Sequence, residues 1–192
     1  MRSWAVQIVP AMLAVFGAGG LIMKALPSPQ SKERMDQYID VFRRSAGDDS
    51  NTGDYLLLSG WGDAEWRKLL AVTTPRPYKA SEVVIQRGVA DRVLYFVAAG
   101  ALEVGVTYVD GISISPLAKI GAGSVIGEQS FFDSEPRSAN VWAVTDGELL
   151  CLTQERFHEL AHREPVLVRD LLFALGRILS LRLRNTSMRV RR

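Results

Sequence analysis

Residues 121–139 read GAGSVIGEQSFFDSEPRSA. Three glycines, Gly121, Gly123 and Gly127, lead into an acid, Glu128, and Arg137 follows nine residues later. Glycine takes left-handed backbone freely and lets main-chain N–H groups approach a ligand closely. Gln129 to Phe132 reads as a brief helical turn whose free N–H groups attract an anion. The planar fork of Arg137 suits two oxygens of one phosphate, and Glu128 is an acceptor for a sugar hydroxyl. A lone glutamate capping a turn, or a lone solvated arginine, would carry nothing. Together with the glycines they suit a small ligand bearing one phosphate and one ribose.

Around this stretch the chain is rich in short strand-like runs: Val83 to Ile85, Val93 to Val97, Leu102 to Val109, Ile112 to Ile114, Val141 to Val144 and Leu149 to Leu152. Turn signals separate them at Gly88, Gly100, Asp110-Gly111 and Asp146-Gly147, and Asp-Gly between such runs signals a hairpin. The spacing predicts an antiparallel barrel or jelly roll. Helical periodicity flanks it on both sides, which makes the chain mainly β with helices at each end, an α+β arrangement. Ser31 to Arg44 places Met35, Tyr38, Ile39 and Phe42 at helical spacing, as a cover for the domain's edge, a stalk or a membrane-surface helix. Leu56 to Val72 contains an amphipathic helix with Asp63 as its N-cap and Trp66, Leu69 and Leu70 on one face. After Gln154 a helix carrying Phe157 and Leu160 runs to Glu164-Pro165, where a new element begins. Val166 to Leu183 is then a long helix striped by Val168, Leu171, Leu172, Leu175, Ile178 and Leu179. Cys151 is the only cysteine, so no intramolecular disulfide forms. Its apolar neighbours predict a buried strand thiol.

The run GEQSFFDSEPRSA, residues 127–139, resembles the phosphate-binding cassette of cyclic nucleotide-binding domains, the family of the catabolite activator protein, protein kinase A regulatory subunits and cyclic-nucleotide-gated channels. The likeness extends upstream through Tyr95-Phe96-Val97, Gly100 and Leu102-Glu103-Val104 and covers roughly residues 56 to 184. It implies the jelly-roll fold with the cassette inserted between late strands, and cyclic AMP or cyclic GMP as the ligand with no other cofactor. Carried over residue by residue, Arg137 pairs with the cyclic phosphate and Glu128 accepts from the ribose 2′-hydroxyl. Gly127, Ser130, Ser138 and Ala139 supply backbone or hydroxyl contacts to the phosphate. Gln129, the remaining cassette residue in this set, stands with Ser130 where the family often has Leu-Ala or Leu-Gly. Ser81 stands where the family usually has a glycine before an acid. Where the activator's last helix offers Thr-Ser to adenine, this chain has Arg182 and Leu183, with Thr186-Ser187 one helical turn further on, so the resemblance leaves the base undetermined.

The remaining features set the expected context. Residues 4–26 carry one ionisable side chain, Lys24, and about 20 apolar residues suffice to cross a bilayer. The segment reads as a transmembrane helix, with a cleaved signal peptide as the other reading. Basic residues behind it, Lys24, Lys32 and Arg34, place the C-terminal side in the cytoplasm, which predicts a single-pass inner-membrane protein with a cytoplasmic domain. The expected organisation is a span at 4–26, a juxtamembrane helix and linker at 27–54, the nucleotide-binding domain at 55–184 and a basic tail at 185–192. The net charge of +2 is too small to imply nucleic acid. The six arginines after Gly176 resemble no groove-reading motif, so no sequence-specific DNA binding is expected. Expected partners are a cyclic nucleotide, the membrane, a second copy through the last helix and an unidentified downstream protein. His158 to His162 spells HELAH, two imidazoles one turn apart as in zinc proteases. A catalytic zinc needs a third ligand, yet the chain holds no other histidine and no carboxylate after Asp170. The expected reading is a non-enzymatic sensor, and its rival is a scaffold that keeps the fold with a silent pocket.

Overall fold

The computed structural model describes residues 29–45, 55–107 and 114–190. Its elements run α1 (Pro29–Ser45), α2 (Asp63–Leu70), β1 (Thr74–Tyr78), β2 (Val83–Ile85), β3 (Leu94–Ala99), β4 (Ala101–Thr107), β5 (Ile114–Gly121), β6 (Val125–Ile126), α3 (Glu128–Asp133), β7 (Asn140–Ala143), β8 (Gly147–Leu152), α4 (Gln154–Arg163) and α5 (Pro165–Val190). The strands form two antiparallel sheets, ordered β1-β8-β3-β6 and β2-β7-β4-β5. This is a jelly-roll sandwich flanked by helices.

Why β3 and β8 are apolar without alternation follows from their place. Leu94, Phe96 and Ala98 of β3, with Leu150 and Leu152 of β8, pack on the helices. Tyr95, Val97 and Leu149 point the other way, into the space between the sheets with Leu102, Ile120, Ile126 and Val141. Strands covered on both faces read as continuous apolar runs. Cys151 lies half-buried against the inter-sheet core, and burial pushes its thiol pKa up.

Helix α1 shares this core. Tyr38, Ile39 and Phe42 are buried; Phe42 stacks on Trp66 at 5.5 Å and meets Phe96 edge-on at 6.0 Å. The Tyr38 hydroxyl donates to Glu148 Oε2 at 2.8 Å. The helix therefore covers the domain, as one of the three sequence readings had it.

Four sequence expectations need adjustment. Asp63 is the first helical residue, not the cap; the cap is Gly62, whose N–H donates to Glu65 Oε2 at 2.9 Å. Asp146-Gly147 is no hairpin, because β7 and β8 belong to different sheets. Glycine is needed at 147 for space: a Cβ there would run into Ala99 O and the Tyr78 ring and hydroxyl. The strand around Ile112 to Ile114 extends to Gly121 instead, passing Pro116 at a register shift opposite Val104 and Gly105. Finally, α5 continues through Val190, so most of the expected basic tail is helix. No glycine or proline follows Gly176 to stop it. The Asp110-Gly111 turn and the expected span at 4–26 lie outside the described residues. Among the described residues no helix is long and apolar enough to cross a membrane.

Candidate functional site

The site is built where β6 runs into α3. Gly127 precedes α3 with a left-handed backbone, φ 81°. A side chain there would be strained, and its Cβ would also collide with Arg137 Nη1 and Val93 O. Glycine is thus required by the arginine lying against it. The Gly127 carbonyl accepts from Arg137 Nη1 at 3.0 Å and from the Phe131 N–H at 3.2 Å. Helix α3 is fixed from below: Gln154 Nε2 of α4 donates to Phe131 O at 2.8 Å, and the Phe131 ring meets Phe157 edge-on at 5.2 Å.

Arg137 is 3% exposed. Its main chain is tied to the turn before β3, donating to Val89 O at 3.0 Å and accepting from the Gly88 N–H at 2.9 Å. Nη2 donates to Asp91 Oδ2 and to Val93 O, both at 2.7 Å, and the guanidinium lies 5.4 Å from the Tyr95 ring centroid. Among the described residues Nε has no hydrogen-bond partner although it is buried. An unmet buried donor costs about 1–3 kcal/mol, so Arg137 holds an unused donor at the β6–α3 junction.

Asp91 also accepts from the Val93 N–H and the Tyr95 hydroxyl, each at 3.0 Å. Burial pushes its carboxyl pKa up, but the bonds and charge of Arg137 with the two other donors outweigh it and leave the pKa below its ordinary value. Burial, then the adjacent Asp91 charge, pushes Tyr95 up to about 12.

Glu128, the first residue of α3, is 4% exposed. Its Oε1 accepts from Arg182 Nη1 of α5 at 2.6 Å, and Arg182 Nη2 donates to Val125 O at 2.9 Å.

Of the residues singled out in the sequence, Gly127, Glu128, Ser130 and Arg137 gather at this junction, Ser130 being buried. Gln129, on α3, and Ser138 are exposed, and Ala139 beside Ser138 is half-buried. Asp91 and the role of Arg182 were missed. A buried arginine demands a counter-charge, and Asp91 is the acid just ahead of the Tyr95-Phe96-Val97 strand. Arg182 was visible only as a departure from the family's base-contacting pair. Thr186 and Ser187, one helical turn beyond that pair, turn their hydroxyls back to the helix, donating to Arg182 O at 2.9 Å and Leu183 O at 3.0 Å. His158 and His162 lie on α4, the first exposed and the second facing solvent beside Arg163, and the described residues contain no cluster of three metal-ligating side chains.

Residues 75–164 match the family model of the cyclic nucleotide-binding domain. Over 121 residues the chain is 32% identical to the cyclic AMP receptor protein of Thermus thermophilus, a match covering 63% of this chain and 56% of that protein. Its fold superposes on the Thermus thermophilus catabolite activator protein with a TM-score of 0.60 at 33% identity, covering 69% of this chain and 60% of that one. A cyclic nucleotide-binding domain from Methylobacillus flagellatus gives a TM-score of 0.67 at 22% identity, covering 82% of this chain and 83% of the other. Residues 75–164 are thus similar to cyclic nucleotide-binding domains in sequence and fold. The chain spans little more than half the length of the cyclic AMP receptor protein it matches.

Proposed function

We propose that this protein is a cyclic nucleotide sensor, non-enzymatic and without a further cofactor, that binds cyclic AMP or cyclic GMP at the β6–α3 junction. The observation that carries the reading is Arg137: a 3% exposed guanidinium with an unpartnered Nε beside the left-handed Gly127 and the buried acceptor Glu128. A cyclic phosphate supplies the acceptors that Nε lacks, and the ribose 2′-hydroxyl donates to Glu128. Bonds to charged groups contribute roughly 1.5–3 kcal/mol each, so these two dominate affinity. The apolar segment 4–26 anchors the domain on the cytoplasmic face of the inner membrane. Occupancy is passed on through α5, to a second copy or to a partner protein, by a shift between two positions of that helix.

Calorimetric titration of the full chain in detergent with each nucleotide tests the reading. Saturable heat is expected with at least one of them, and Arg137→Ala should weaken binding at least tenfold, about 1.4 kcal/mol. One observation favours the scaffold reading: Glu128 and Arg137 already have charged partners within the chain, Arg182 and Asp91. No heat from either nucleotide, with Arg137→Ala indistinguishable from the wild type, would establish that alternative.

A further inference from the structure

Helix α5 is held to the domain in two different ways. Its first half is seated by apolar burial, through Leu167, Val168, Leu171, Ala174, Leu175 and Ile178. From Leu179 to Ser187 no apolar residue of α5 is fully buried. There the fastening is polar, and Arg182 supplies it one turn past Ile178, bridging Glu128 Oε1 and the Val125 carbonyl. A charged donor 2.6 Å from Oε1 of a carboxylate that is 4% exposed already takes that oxygen's strong bond, so a sugar hydroxyl reaching for it meets Arg182 as a rival.

We propose that Arg182 is a built-in competitor for the carboxylate that receives the ribose, so that the distal half of α5 and the nucleotide's 2′-hydroxyl contend for Glu128. This rests on the cyclic-nucleotide reading above and adds its regulation. The coupling is reciprocal. Whatever the Arg182 bridge contributes to holding α5 down is lost from nucleotide affinity, and a nucleotide that takes Glu128 frees the helix beyond Ile178. The competition acts through the 2′-hydroxyl alone, because phosphate pairing belongs to Arg137 on another segment. Arg182 is in this sense a positioning residue: it sets where α5 lies and touches Glu128, not the phosphate.

The test pairs a protein change with a ligand change. The full chain in detergent, as wild type, Arg182→Gln and Arg182→Lys, is titrated with cyclic AMP, cyclic GMP and the 2′-deoxy form of each. Glutamine is too short to span both acceptors and carries no charge; lysine keeps the charge but cannot fork. Arg182→Gln is expected to bind the 2′-hydroxyl-bearing nucleotide about tenfold tighter, the scale of one bond to a charged group. Arg182→Lys should gain less, and affinity for the 2′-deoxy nucleotide should not change. Hydrogen exchange gives a ligand-free readout: amides of residues 179–187 should exchange faster in Arg182→Gln than in wild type. Saturating nucleotide should speed the same amides in the wild type. Equal or weaker binding by both variants overturns the competition, as does an equal gain for the hydroxyl and deoxy nucleotides. If Arg182→Gln does not fold, Arg182→Lys decides between the same outcomes. Wild type that binds while the Arg182 variants change nothing sinks the competition alone. Failure of every form to bind any nucleotide sinks the sensor reading with it.

Discussion

Ser81 is held in left-handed backbone, φ 69°. Its N–H donates to Ala143 O at 2.8 Å, and the surrounding turn is closed by Glu82, whose N–H reaches Lys79 O while its carboxylate takes the Lys79 N–H. The turn fixes the strained conformation because it joins β1 to β2 and thereby one sheet to the other. A side chain in that region costs roughly 1–2 kcal/mol, against roughly 0.5–1 kcal/mol for the extra freedom glycine gives the unfolded chain. Ser81→Gly is therefore expected to stabilise the domain by up to about 1 kcal/mol, seen as a higher denaturant midpoint at unchanged slope. A lower midpoint would mean that the serine makes a contact stronger than the strain. The same reasoning runs the other way at Gly127, where both the backbone and the Arg137 guanidinium exclude a side chain.

Helix α5 carries the next prediction. Gly176 sits inside it, exposed, with nothing within 4 Å of where a Cβ would be. Glycine inside a helix costs about 0.8–1.0 kcal/mol relative to alanine, so Gly176→Ala should raise the thermal midpoint by a few degrees. A fall would point to a second chain approaching this face closely, the side on which Phe173, 76% exposed, lies one turn away. At this scale the sequence was legible wherever burial left a period. Strands β3 and β8 could be read, and most of the α5 stripe, although Leu172 is 38% exposed and Leu179 only half-buried while Leu167 and Ala174 are buried without having been in it. Elements that break their own propensity were missed. Strand β1 contains Pro75 and Pro77, tolerable because it is an edge strand paired only with β8. Strand β6 is two residues long, too short for any pattern. The partners of the site were hidden for another reason. Asp91 lies 46 residues from Arg137, and Arg182 lies 54 from Glu128, so only the fold brings them together.

Two buried tyrosines each donate to a carboxylate and set the domain's behaviour in alkali. The Tyr38 hydroxyl of α1 donates to Glu148 at the start of β8, and that of Tyr95 donates to Asp91 beside the site. Burial, reinforced by the carboxylate each one faces, raises both pKa values from 10.0 to about 12. A raised folded pKa means that the neutral form is favoured by folding. The stability these groups contribute is accordingly complete below pH 10 and lost as pH climbs from 10 towards 12. Each phenolate formed would face a carboxylate, so α1 and the turn carrying Asp91 should loosen together. The double variant Tyr38→Phe and Tyr95→Phe is expected to be less stable below pH 10, by about 0.5–1.5 kcal/mol for each hydrogen bond removed. Its thermal midpoint should nevertheless fall less steeply than the wild type's over the alkaline window. Tyr78, raised by burial alone, stays in both proteins and supplies the common part of the slope. Parallel curves for wild type and double variant would rule out the two tyrosines as the source of alkaline sensitivity and detach it from the docking of α1.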